Sequence, residues 1–190
     1  MGWKRTVSAV AGGVGVALVV AGCGTDGGSS GGAAVSTTTS ASMAANAPTA
    51  FDPCKLPASV IAEEGFKNQP WNADSDGNGG IHWRGCGWLV SNGYSVSILT
   101  TNVTLAMIHA NHNFTVSEEF AIAGRPALTY QQTGQTDTHG NCLLEAQMTG
   151  GSLELQIDNP PSADLTAKTP ACDIAKKLAQ DLIATFPPNA

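Results

Sequence analysis

Residues 141–158 read NCLLEAQMTGGSLELQID. Two strand-like runs, Asn141–Thr149 and Ser152–Asp158, flank Gly150-Gly151. Paired glycines supply the backbone freedom that a tight two-residue turn demands, so the segment predicts an antiparallel hairpin. Asn159-Pro160-Pro161 ends the second strand, because proline donates no N–H to a ladder.

Towards the C-terminus the period changes. Ile174, Leu178, Leu182 and Phe186 recur every four residues, with Lys176, Lys177, Gln180 and Asp181 between them. Thr169 can cap this helix, Pro170 suits its first position, Asp173 favours its positive end, and Pro187-Pro188 stops it. Towards the N-terminus, Arg125–Gln132 alternates weakly and reads as a strand. Asn102–His112 predicts a helix with Leu105, Ile108 and His112 along one side. Ile81–Val90 and Tyr94–Thr100 are strand-like around the turn Ser91-Asn92-Gly93. Asn72–Gly80 reads as a polar loop, and Leu56–Gly65 as a short helix with Pro57 at its start and Gly65 at its stop. The sum is an α+β domain: an antiparallel sheet of four to six strands with helices packed on one face.

The chain has 190 residues, 42% of them apolar and 13% charged, with a formal charge of −6. That suffices for one packed domain and excludes disorder throughout. The negative balance argues against a nucleic acid partner.

The first residues set the compartment. Lys4 and Arg5 precede an uncharged run from Val7 to Ala21, which has the length of a secretory apolar segment and is short for a membrane span of roughly 20 residues. It closes on Val20-Ala21-Gly22-Cys23. Small residues before a cysteine predict lipoprotein processing, with residues 1–22 removed as a signal peptide and Cys23 acylated as the new N-terminus. Removal takes two of nine basic residues and none of fifteen acids, so the charge moves from −6 to −8. Such a surface is repelled by anionic headgroups, so the acyl chains must hold the protein on the extracytoplasmic face of the cell membrane. Residues 24–50 are nearly all Gly, Ser, Thr, Ala and Asn and read as a disordered tether, about 30 Å end to end. Residues 51–190 are the expected single domain.

Of five cysteines, Cys23 goes to lipid, leaving Cys54, Cys86, Cys142 and Cys172. An even number in an exported chain implies two disulfides, and four cysteines allow three pairings. The favoured one is Cys54–Cys86 with Cys142–Cys172, each joining a helix-proximal cysteine to a strand cysteine. Loops of about 30 residues closed this way contribute roughly 3–4 kcal/mol each in the chain-entropy account. The spacings do not suit a zinc site, and no Cys-x-x-Cys pair occurs.

Several pieces in fixed order resemble a family. They are Asp52-Pro53-Cys54, Cys86-Gly87-Trp88, Ile122-Ala123-Gly124-Arg125-Pro126-Ala127, Cys142, and Cys172-Asp173-Ile174-Ala175 with Leu178-Ala179. The chain resembles DUF3558, an actinobacterial lipoprotein family of unknown function. The resemblance implies a lipid-anchored envelope protein with two disulfides, and it carries no catalytic residues.

Three constellations are candidate sites. Asp74-Ser75-Asp76-Gly77-Asn78-Gly79 matches the opening of a calcium loop, with Asp74, Asp76 and Asn78 as oxygen ligands, but its twelfth position is Gly85 where a glutamate is expected. Glu63 or Glu64 could supply that carboxylate; otherwise the stretch is an ordinary polar turn. His109 and His112 would share a helix face and could hold a metal with His82 or His139. Trp71, Trp83 and Trp88 crowd one stretch, with Trp88 on the strand face of Cys86 and Trp83 on the other. They fill a core or form an aromatic cleft for lipid or carbohydrate.

No G-x-S-x-G motif is present, and Asp164, Asp173 and Asp181 are too scattered for an acid–base pair. The expected function is therefore a lipid-anchored envelope protein that binds or assists, with an envelope protein, a lipid or a wall component as partner. The alternatives are an envelope hydrolase with a site invisible in sequence, or a calcium-stabilised domain.

Overall fold

The computed structural model describes residues 43–190 apart from Asn68, Thr136 and Thr138. The expected signal peptide, Cys23 and the tether up to residue 42 lie outside the described residues. Eleven elements follow in chain order: α1 Ala58–Glu64, β1 Trp71–Asn72, β2 Ser75–Gly77, β3 Ile81–Leu89, β4 Ser95–Thr101, α2 Leu105–Ala110, β5 Phe114–Ile122, β6 Arg125–Gln132, β7 Asn141–Met148, β8 Gly151–Asp158 and α3 Ala171–Ile183. The eight strands form one sheet in the order β1-β3-β4-β8-β7-β6-β5, with β2 also paired to β3. Every pairing is antiparallel.

The expected sheet of four to six strands is thus too small. The strands missed in sequence lie at its two edges. β1 and β2 are two and three residues long and sit inside the polar stretch read as a loop. β5 carries Glu118 and Glu119, and its register shifts between Val116 and Glu118, which breaks the apolar alternation. Charge and a bulge are how sheets blunt an edge, and both hide the strand from a hydrophobic pattern.

The strand period of two sorts the core. On β8, Leu153, Leu155 and Ile157 face the larger hydrophobic cluster, while Ser152, Glu154, Gln156 and Asp158 alternate with them. α3 lays Ile174, Ala175, Leu178, Ala179 and Leu182 into that cluster, over β7 and β8. Phe186 falls beyond the helix end, and its ring packs on Phe51 at 4.6 Å between centroids. Pro170, not Thr169, occupies the cap position. α1 ends at Gly65 in the left-handed conformation and buries Val60 on the same side as α3. α2 departs from the expected single helical face. Its Ile108 packs with Val103, Leu128 and Tyr130 in a second cluster, on strand positions of the opposite parity.

Two disulfides staple this arrangement, Cys54–Cys86 and Cys142–Cys172, with Cα separations of 5.0 and 5.1 Å. Trp88 is buried beside the first and donates its indole N–H to Pro53 O at 3.0 Å. The packed domain starts upstream of residue 51: Ala47 is buried and Ala44 O accepts from Asn102 Nδ2 at 2.8 Å. Among the described residues no helix is long and apolar enough to cross a membrane.

Candidate functional site: a cleft on the sheet face away from α3

The hairpin of β7 and β8 builds the floor of this site. Its turn is Thr149-Gly150, since Met148 pairs with Gly151. Gly150 takes the left-handed backbone at φ 84°. Gly151 belongs to the strand, and a Cβ there would lie 2.0 Å from Thr101 O on β4. The expected turn at Gly150-Gly151 would have set Glu145 opposite Gln156. The observed register sets Glu145 directly opposite Glu154.

These two carboxylates point away from α3 and are 0% and 3% exposed. Trp83 Nε1 donates to Glu154 Oε2 at 2.7 Å, and Gln156 Nε2 donates to Glu154 Oε1 at 2.6 Å. Tyr130 Oη donates to Glu145 Oε1 at 3.4 Å, whereas Glu145 Oε2 is buried with no hydrogen-bond partner. Like charges directly across a strand pair repel. Burial first, and then the neighbouring Glu154 charge, raise the Glu145 pKa well above the usual carboxylate range. Burial also pushes the Tyr130 hydroxyl upward, so it remains a donor.

Above this floor lie two adjoining cavities. One, of about 390 Å³, opens between α2 and the sheet; Ile81, Val103, Met107, Ile108 and Phe114 form apolar walls, and Trp83 and Glu154 are part of its lining. The other, of about 290 Å³, is lined by polar groups that include Ser97, Gln131, Asn141 and Asp158, with Trp71 among its walls. Tyr130, Gln132, Leu143 and Gln156 line both, so the two halves meet there. A largely apolar hollow with a few convergent polar groups is the usual form of a small-molecule site.

The residues singled out in sequence distribute differently. Trp88 fills the core on the α3 side. Trp83 and the 46%-exposed Trp71 belong to the cleft. Asp74 Oδ1 accepts from Gly85 N at 2.8 Å, and Asp76 Oδ1 is held by Arg84 and His82, both at 2.6 Å. Ser75–Gly77 pair with β3 as a strand. Among the described residues no three His, Cys, Asp or Glu side chains gather as a metal site. The histidines stay apart: α2 ends at Ala110, before His112, while His109 approaches Glu119 at 3.8 Å and His139 Nε2 meets Ala167 O. No histidine lines either cavity of the cleft.

Glu145 and Glu154 were missed by sequence reasoning. The available signal was an acid at an alternate position within each apolar run, Leu143-Leu144-Glu145-Ala146 and Leu153-Glu154-Leu155. Only the true turn register makes the two face each other.

A family model described as a protein of unknown function, DUF3558, matches residues 18–185. No curated protein matches the chain, and neither does any solved structure.

Proposed function

We propose that this chain, which belongs to the DUF3558 family by a match over residues 18–185, is a lipid-anchored envelope protein that binds an amphiphilic small molecule in the cleft away from α3. The single observation that carries the binding reading is the junction of an apolar and a polar cavity at Tyr130, Gln132, Leu143 and Gln156. Such a pairing suits a molecule with one apolar and one polar end. The anchor rests on Lys4-Arg5, the uncharged run to Ala21, and Cys23, together with two disulfides that suit an oxidising compartment. The acyl chains on Cys23 hold the domain at the extracytoplasmic face of the cell membrane.

Among the described residues no serine–histidine pair lines the cleft, so serine-type hydrolysis finds no support there.

Two experiments test the reading. A fatty-acid analogue fed to cells should label the wild type and not Cys23→Ala; absence of label in the wild type contradicts the anchor. The neutral fluorophore N-phenylnaphthylamine should brighten on adding the protein. Leu143→Trp, which fills the junction, should abolish that signal with Tm kept within a few degrees. Undiminished brightening in the variant contradicts the cleft as the binding site.

A further inference from the structure

Each donor that reaches the two buried carboxylates is a neutral group: Trp83 Nε1, Gln156 Nε2 and Tyr130 Oη. Four of the domain's seven Lys and Arg side chains are ion-paired elsewhere. Lys55 pairs with Asp52, Arg84 with Asp76, Lys176 with Glu118, and Lys177 with Glu64 and Asp181. Among the described residues no Lys, Arg or His lies within ion-pair distance of Glu145 or Glu154. A buried carboxylate without a cation is costly, and natural structures match such groups with an opposite charge. Here one member of the pair lines a cavity with apolar walls, and the other has an oxygen without any partner.

We propose that the missing charge belongs to the ligand: the cleft takes an amphiphilic amine, whose ammonium sits against Glu154 while its apolar part lies between α2 and the sheet. This deepens the binding reading above and rests on it. Trp83 and Tyr130 line the same cavity, and their rings attract a cation by their faces. Met107, Ile108 and Phe114 supply the apolar wall. A neutral amphiphile would bury the carboxylate unpaired, and an anionic one would add a like charge beside it. The specificity therefore comes from the acid pair, and the bulk of the affinity from the apolar wall.

The test uses octylamine, octanol and octanoate, which share a chain and differ in the head. Each is titrated calorimetrically into the mature chain, residues 23–190 with Cys23→Ser, at pH 7 and low salt. Octylamine should bind at least tenfold tighter than octanol, and octanoate weakest. Glu154→Gln should abolish the preference, bringing octylamine and octanol to within about twofold of each other. Met107→Trp, which fills the apolar half away from the acids, should abolish octylamine binding while Tm is retained. Octanol binding as tightly as octylamine overturns the inference and leaves the binding reading standing. Failure of all three, with N-phenylnaphthylamine also unbound, overturns both. An amine preference that survives Glu154→Gln, or binding that survives Met107→Trp, overturns this placement of the ligand.

Discussion

At the residue scale the protein is organised around an acid shut away from water beside a second acid. Glu145 is enclosed and faces Glu154 across the strand pair, and burial followed by the Glu154 charge raises its pKa. Its folded-state pKa lies above the unfolded value of about 4.5, so its contribution to stability is fully present below that pH. As pH rises from there the unfolded chain ionises before the folded one, and stability declines until the pH passes the folded-state pKa. Glu145→Gln is isosteric with the protonated acid and removes this dependence. At pH 7 it should raise stability by about 1–3 kcal/mol, with the gain shrinking towards pH 4. Urea unfolding across that range checks it; a loss at pH 7, or a gap unchanged with pH, contradicts the raised pKa. The sequence kept this residue hidden for a physical reason. An acid inside an apolar run reads as a solvent-facing position of a half-buried strand. Only a one-residue shift in the turn, which moves its partner by two, brings it opposite a second acid.

At the element scale the β7–β8 hairpin sets the site, and its two glycines act differently. Gly150 is needed for its positive φ, whereas Gly151 is needed because β4 crosses close to it. Gly150→Ala should cost about 1 kcal/mol through backbone strain. Gly151→Ala must also displace the Thr101 backbone, and should cost about 2–3 kcal/mol or more. Equal costs in thermal unfolding would contradict this register. α3 shows where a period of nearly four is sufficient evidence: its buried stripe of Ile174, Leu178 and Leu182 was legible, and Leu178→Ala should cost about 2–5 kcal/mol. The central strands β3, β4, β7 and β8 were legible for the same reason, since apolar side chains alternate along them. β1, β2 and β5 were not, because edge strands are short, polar or bulged. α2 was legible as a helix but not in its place. Nothing in six residues tells which face of a sheet a helix covers.

At the scale of the whole molecule the sheet has two unlike faces. One is sealed by α1 and α3 over the main core; the other carries α2 at one end and the cleft beside it. The disulfide pairing was legible because only four cysteines remained once Cys23 was set aside. Each bridge ties the segment before α1, or α3 itself, to the sheet. Replacing Cys142 and Cys172 together by alanine should cost about 2–5 kcal/mol, read by denaturant unfolding, and the same change in reducing buffer should cost far less. The cleft was only half legible: the tryptophans marked the region, and the strand period set Trp88 on the face of Cys86 and Trp83 on the other, but nothing in the sequence put α2 and the acid pair beside Trp83. That division supplies a built-in control for the central claim, that ligand binds on the face away from α3. The measurement is the indole N–H spectrum of the ¹⁵N-labelled mature chain during titration with octylamine. The Trp83 indole, bonded to Glu154 Oε2, should shift progressively and saturably, while the Trp88 indole, bonded to Pro53 O on the sealed side, stays in place. An unmoved Trp83 indole, or a Trp88 shift as large as that of Trp83, would contradict it.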